Sequence, residues 1–321
     1  MAQSTDPGQD RAGSARRVFK VLAQLAVTGL VTWLILERLG PGLSELARTA
    51  PRQLEPRWGW ITASCGMLAT GYAFSGWIWG RMVEDLGGPA VSASDAIRTY
   101  MVANLGRYVP GKIWQIAGLA LLARARGVPA PIATAAAVVG QAVALAGAML
   151  VGLPALGRGG PDLSRWAAVA ATIGVVTVVI VPKVFRPLLR LWLRWAPGET
   201  PEEVPISALK GFRWLALYTL NWGGYALAFW MLVRGLSLPG GLFDVGPAFA
   251  AAYVLGYVVL VAPAGLGVRE ASMLTFLAPI MGPSGATLAV VAARVWTTVV
   301  EVVPAGAFWL SGFGRARHGR T

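Results

Sequence analysis

The most constraining feature of this sequence is a series of apolar segments, each long enough to cross a bilayer. Hydrophobic residues make up 55% of the 321 residues and charged residues 13%, a composition too apolar for a soluble domain of this length. The first segment runs from Val18 to Leu36 and lacks a small-residue cleavage site, so we expect it to remain as an anchor. Five further full spans are predicted at about residues 58–80, 131–156, 166–183, 212–236 and 285–311.

Two other apolar stretches, residues 99–124 and 247–281, are interrupted near their middle by turn-forming and charged residues. Pro110 and Gly111 interrupt the first, and Pro263, Gly265 and Gly267 interrupt the second. Each stretch therefore predicts two half-helices around an irregular, re-entrant turn, which a membrane tolerates only where protein or water satisfies the backbone. The predicted fold class is an all-α polytopic membrane protein with about six full transmembrane helices and two re-entrant broken-helix hairpins.

The basic residues indicate the orientation of these segments. If each hairpin leaves the membrane on the side from which it enters, most lysines and arginines of the loops fall on the side of the two termini. We therefore expect a multi-pass protein of the cell membrane with both termini in the cytoplasm. The net charge of +13 then reflects topology signals and contacts with anionic lipid rather than nucleic-acid binding.

The two interrupted stretches also share a register. Pro110 precedes Thr134 by the same interval as Pro263 precedes Thr287, and the offset between the two copies is about 153 residues. Because the first stretch is expected to enter from the cytoplasm and the second from outside, the pattern indicates an inverted repeat, which is typical of transporters.

The predicted domain organisation follows from this repeat. One transmembrane domain is expected over residues 16–312, with a first repeat at about 58–156, a linker at about 184–210 and a second repeat at about 211–311. A disordered cytoplasmic tail (1–15) and a basic cytoplasmic tail (313–321) flank it.

Four basic residues lie at predicted membrane depth: Arg107, Lys112, Arg269 and Arg294. A charge there costs about 2.5–3.5 kcal/mol on insertion scales, so these residues require partners. The nearby carboxylates are Glu270 and Glu301, which leave two positive charges uncompensated, and a bound anion could neutralise them.

Several assignments stay open for these residues. Arg269 and Glu270 either line a cationic cavity or pair with each other, and Arg294 and Glu301 either pair on one helical face or contact substrate. A substrate role is favoured for Lys112, whereas an interfacial position is favoured for Arg107.

Three uncharged residues are further candidates for the cavity wall. Gln141 stands opposite Arg294 in the repeat and could offer its amide to the same cavity. Trp114 and Trp296 lie deep in the predicted membrane region, where packing in the core is favoured over contact with substrate.

No metal or cofactor site is predicted. The sole histidine, His318, lies in the basic tail, and the single cysteine, Cys65, lies in an apolar segment. No nucleotide-binding motif is present, so we expect no cofactor and no enzymatic activity.

The two broken stretches resemble a known family. The blocks "NLGRYVPGKIWQIAGLALLARARGVP" and "APAGLGVREASMLTFLAPIMGP", followed by "ATLAVVAARVWTTVVE", are similar to the lysylphosphatidylglycerol synthase transmembrane region, a flippase-type membrane domain also found as stand-alone proteins. The likeness covers about residues 15–312. It implies movement of charged or glycosylated lipids between leaflets, with Lys112, Arg269, Glu270 and Arg294 as the polar core.

Two departures from the family pattern matter. Many members carry a glycine and a glutamate soon after the basic residue of the first block, whereas this chain has Trp114 and Gln115 in "PGKIWQ", which leaves the headgroup open. The soluble aminoacyl-transferase domain of bifunctional members does not follow the last span, so synthesis of lysylphosphatidylglycerol is not expected.

The predicted function is therefore a flippase or transporter that moves a phospholipid or a lipid-linked glycan headgroup through a cationic midplane cavity. The expected partners are the bilayer, an anionic or polyprenyl-linked lipid, and either a second copy of the chain or a glycosyltransferase. Two alternatives remain: a membrane-embedded transferase acting on a lipid-linked sugar, with Glu270 or Glu301 as base, and a structural subunit of an envelope assembly.

Overall fold

The computed structural model describes residues 55–108, 113–157, 162–181, 183, 184, 187, 207–258 and 267–318. These residues form eight α-helices and no strand, which confirms the predicted all-α class. The helices are α1 (Trp58–Asp85), α2 (Ala93–Asn104), α3 (Ile113–Arg124), α4 (Ala130–Leu156), α5 (Asp162–Ile180), α6 (Ala208–Gly235), α7 (Leu242–Val258) and α8 (Val268–His318). A 3₁₀ turn (Leu105–Tyr108) follows α2. The predicted anchor at 18–36 lies outside the described residues.

Local sequence signals explain several helix boundaries. The hydroxyl of Ser92 accepts a hydrogen bond from the backbone N–H of Asp95 at 3.2 Å, and so caps α2. Ser207 caps α6 in the same way through Lys210. Gly282 has φ 75° and ψ 164°, so α8 is broken there into two arms, residues 268–281 and 283–318. Pro283 begins the second arm, where its missing N–H costs nothing.

Among the described residues, two helical stretches are long and apolar enough to cross a membrane: Ala130–Leu156, and Val268–Phe308 with its break at Gly282. Two apolar stretches are shorter, Trp166–Ile180 and Leu242–Val258. The predicted number of six spans therefore stays a prediction. Helix α8 continues to His318, within the predicted basic tail at 313–321.

Helices α1 and α6 pack antiparallel along their length. At one end, the backbone N–H of Arg57 donates to the carbonyl of Gly235 at 2.8 Å. In the middle, the Asn221 amide donates to the hydroxyl of Ser75 at 2.8 Å. At the other end, the Lys210 ammonium donates to the carbonyl of Asp85 at 2.7 Å. The end of each helix therefore lies beside the start of the other.

Two helical hairpins flank this pair. Hairpin A consists of α2, the 3₁₀ turn and α3. Its legs meet so closely near the tip that a Cβ on Gly106 would lie 2.8 Å from the backbone of Trp114. At its open end, Arg126 Nε donates to Asp95 Oδ1 at 3.2 Å.

Hairpin B consists of α7 and the first arm of α8. Near its tip, a Cβ on Gly256 would lie 2.9 Å from Cβ of Arg269. Its open end lies where Gly240 approaches Ile280. Hairpin A follows the Asp85 end of α1 and hairpin B follows the Gly235 end of α6, so the two hairpins open toward opposite ends of the α1–α6 pair.

Candidate functional site

A partly open pocket with about 560 Å³ of empty space, including space open to solvent, lies between the two hairpins and helices α1, α4 and α6. Two of its lining residues are charged, Arg107 from the 3₁₀ turn and Arg269 from the start of α8. The described residues that line it include no carboxylate. Its other polar residues carry hydroxyl or amide groups: Tyr72, Ser75, Tyr100, Gln141, Tyr218, Asn221, Tyr225 and Tyr253. We call this space the central cavity.

Arg107 is held at the edge of the central cavity by a network of short polar contacts. Its Nη1 lies 2.6 Å from Oε1 of Glu301, on the second arm of α8. The same oxygen accepts a hydrogen bond from the hydroxyl of Tyr72 at 2.5 Å. Arg107 Nη2 donates to Oδ1 of Asn104 at 2.6 Å, and the Gln115 amide donates to that same oxygen at 2.9 Å. Glu301 therefore ties hairpin A to both α1 and α8.

Arg269 also lines the central cavity. Its guanidinium carbon lies 4.9 Å from the centre of the Phe249 ring, a cation–π contact. The absence of a side chain on Gly256 permits this approach of α8 to α7. Within the described residues, no hydrogen bond or ion pair is found for the Arg269 guanidinium, which lines the central cavity.

A second, smaller pocket of about 200 Å³ lies between the two arms of α8, lined by Arg269, Glu270 and Arg294 among others. Arg294 Nη1 approaches Glu270 Oε1 at 3.7 Å. The other Glu270 oxygen accepts the backbone N–H of Gly267 at 2.8 Å, at the start of α8. Arg294 is buried, and its Nε and Nη2 have no hydrogen-bond partner in the described part of the chain.

Comparison with known proteins places the chain in a family. The family model described as the lysylphosphatidylglycerol synthase transmembrane region matches residues 21–305. The chain belongs to this family. Comparisons with curated proteins and with solved structures give no match. Membership in the lysylphosphatidylglycerol synthase transmembrane family confirms the resemblance and makes the chain a membrane domain with a lipid-related function.

The pairs of charges that the sequence left open do not form in this member of the family. A pair between Arg294 and Glu301 was one of two alternatives, but seven residues separate them by about 10.5 Å along a helix, and Glu301 instead binds Arg107. Arg269 and Glu270 were also considered as a pair. Adjacent residues on a helix do not face each other, and Glu270 turns toward Arg294 instead.

The structure also revises the positions of three single residues. The sequence slightly favoured an interfacial position for Arg107, which was also a candidate cavity residue; in the structure it lines the central cavity and binds a buried carboxylate. Gln141 lines the central cavity with Arg107 and Arg269 and donates to the hydroxyl of Tyr253 at 3.3 Å, whereas Arg294 lines the smaller pocket. Trp114 is 50% exposed rather than buried in the core, because it lies on the first turn of α3.

Of the turn residues in the prediction, Gly267 is described, with φ 84° at the start of α8. Four others, Pro110, Gly111, Pro263 and Gly265, lie outside the described residues, as does Lys112. Their predicted roles stay predictions.

The tyrosines of the central cavity were not predicted from the sequence. Tyr72 on α1 and Tyr225 on α6 lie with ring centres 5.6 Å apart. Each belongs to a Gly-Tyr-Ala triplet, residues 71–73 and 224–226, at the offset already noted between the two hairpins. That recurrence was a usable signal, since both copies of a repeat contribute equivalent residues to a shared site.

Metal binding finds no support in the part of the chain that the structure describes. No group of three or more histidine, cysteine, aspartate or glutamate side chains comes together there. The polar groups of the central cavity are cations, hydroxyls and amides, which suit an anion better than a metal ion.

Proposed function

We propose that this protein is a lipid flippase or transporter in which the central cavity binds the anionic phosphate of a membrane lipid. The observation that carries the proposal is that Arg107 and Arg269 both line one cavity, and that no carboxylate of the described residues lines it. The lipid's acyl or polyprenyl chains would remain in the bilayer while the headgroup crosses. On this proposal the chain acts in the cell membrane and catalyses no covalent reaction.

The charges around the cavity favour an anionic guest. Within the described residues, three cations (Arg107, Arg269 and Arg294) face two carboxylates, Glu270 and Glu301. Glu301 binds Arg107 and Glu270 is closest to Arg294, so Arg269 is the cation whose charge a phosphate would balance. An arginine guanidinium matches phosphate geometry through two parallel N–H donors.

The arrangement of the hairpins supports transport rather than static binding. Helices α1 and α6 run antiparallel, and the two hairpins open toward opposite ends of that pair. This is the relation expected of an inverted repeat, in which one half rocks against the other and exposes a fixed site to each side in turn. The central cavity lies between the two hairpins, where such rocking would open it.

The transferase alternative has weaker support. A general base must be able to reach the proton that it abstracts, yet the carboxylates considered for that role already accept other groups. Glu301 accepts Tyr72 and Arg107, and Glu270 accepts the Gly267 amide. Neither lines the central cavity.

Leaflet exchange of labelled lipid in reconstituted vesicles tests the proposal. Arg269→Gln removes the charge that faces the guest, and we expect the exchange rate of fluorescent phosphatidylglycerol to fall at least about tenfold, equivalent to roughly 1.4 kcal/mol. Arg98→Gln is the matched control, because Arg98 also lies over a phenylalanine ring, at 5.6 Å from Phe308, but does not line the cavity. Equal rates for the two variants would exclude Arg269 from the transport site.

A further inference from the structure

We infer that the central cavity selects a phosphate headgroup whose substituent is neutral and rich in hydroxyls, and that it rejects headgroups bearing an amine. This inference rests on the proposed function and specifies the substrate class of the same site. It differs from what the family description alone suggests, since a lysyl headgroup carries amines.

An ammonium group would find no carboxylate among the described residues that line the central cavity. Burying a charge is costly unless it is paired, so a carboxylate in the wall is the group that would best compensate an amine. Among the described residues, none of the lining groups is a carboxylate, and two of them are arginines. Glu301, which does not line the cavity, accepts hydrogen bonds from the lining residues Tyr72 at 2.5 Å and Arg107 at 2.6 Å.

The second argument is the density of neutral hydrogen-bonding groups. The Ser75 hydroxyl lies 3.1 Å from the Tyr225 hydroxyl and accepts the Asn221 amide at 2.8 Å. On the facing side, the Tyr253 hydroxyl accepts the Gln141 amide at 3.3 Å and keeps its own hydrogen to donate. Groups that both donate and accept complement the hydroxyls of a polyol or sugar, whereas a bare phosphate accepts only.

The third argument is the aromatic wall beside these groups. The Trp222 ring centre lies 4.6 Å from that of Tyr253 and 5.2 Å from that of Tyr225. Such faces can pack against the apolar face of a sugar or polyol ring. Aromatic walls also attract cations, but here Arg107 and Arg269 line the same space, and their positive charges oppose a second cation.

A comparison of leaflet exchange rates for different lipids in reconstituted vesicles tests this selectivity. Acyl-labelled phosphatidylinositol, phosphatidic acid and lysylphosphatidylglycerol provide a hydroxyl-rich, a bare phosphate and an amine-bearing headgroup on similar chains. We expect phosphatidylinositol to exchange at least about tenfold faster than lysylphosphatidylglycerol, and faster than phosphatidic acid. Equal or faster exchange of lysylphosphatidylglycerol would overturn this inference and leave the proposed function standing. If none of the three exchanges faster than in protein-free vesicles, both fail.

One substitution isolates hydroxyl recognition from charge. Tyr253→Phe removes a hydroxyl from the cavity wall, and Tyr257→Phe removes one from a neighbouring ring, stacked at 6.0 Å, that does not line the cavity. We expect Tyr253→Phe to slow phosphatidylinositol exchange several-fold while phosphatidic acid exchange stays unchanged, and Tyr257→Phe to affect neither. If Tyr253→Phe slowed both lipids equally, the hydroxyl would serve the fold rather than headgroup selection, and the inference would be wrong.

Discussion

The contact between Arg107 and Glu301 offers a sharp test of how hairpin A is held to the rest of the protein. The two charged atoms are 2.6 Å apart, and the side chains are 24% and 4% exposed, respectively. At an effective dielectric constant of about 20, two unit charges at that distance attract by roughly 6 kcal/mol. The loss of water around Glu301 and the remaining exposure of Arg107 offset most of this attraction. We therefore expect a net coupling of about 2–3 kcal/mol.

A double-mutant cycle with Arg107→Gln and Glu301→Gln measures this coupling. Each single variant leaves one buried or half-buried charge without its partner, so the double variant should be less destabilised than the sum of the two single variants. The assay is thermal unfolding of the purified protein in detergent, where about 2 kcal/mol corresponds to a shift of about 4 °C or more.

The exposed pair Arg81 and Glu84, at 2.9 Å with side chains 53% and 26% exposed, provides the control. Its coupling should be below about 0.5 kcal/mol, because water screens the charges. If Arg107 and Glu301 coupled no more strongly than this surface pair, Glu301 would not be what holds hairpin A in place.

Two further predictions concern packing. Gly152→Ala would place a Cβ 2.7 Å from the backbone nitrogen of Ala251 and should lower the free energy of unfolding by about 1–3 kcal/mol. Gly174→Ala is the control, because the space around Gly174 is open, and it should not lower the unfolding midpoint. Equal midpoints for the two variants would refute close packing of α4 on α7. Asp85→Ala would remove the carboxylate that accepts the buried Trp214 indole N–H at 2.8 Å. It should lower the free energy of unfolding by about 1–3 kcal/mol in the same assay. An unchanged unfolding midpoint would show that this contact does not join α1 to α6.

The order of helices could be predicted from the sequence, because each is specified by features close together in the chain. Apolar length sets α4, and Gly267 adopts φ 84° where α8 begins. The turn at Gly282 just before Pro283 also falls where the sequence separates the interrupted stretch from the last predicted span. Such signals act within a few residues of the structure that they produce.

The partners of the charges could not be predicted, because they depend on which helices pack together. Glu301 binds Tyr72, which lies 229 residues away, and Arg107, which lies 194 residues away. Spacing along one helix favoured Arg294, which the fold instead turns toward Glu270. The recurrence of Gly-Tyr-Ala was the better guide to the site, since it links α1 to α6 without assuming any pairing of charges.

The most direct test of the central claim is a structure of the protein determined in nanodiscs that contain phosphatidylglycerol. We expect a lipid phosphate within hydrogen-bonding distance of the Arg269 guanidinium, inside the central cavity and on the side that Arg107 also lines. Lipid phosphates confined to the outer surface of the protein, with Arg269 bound to another protein side chain, would contradict the account.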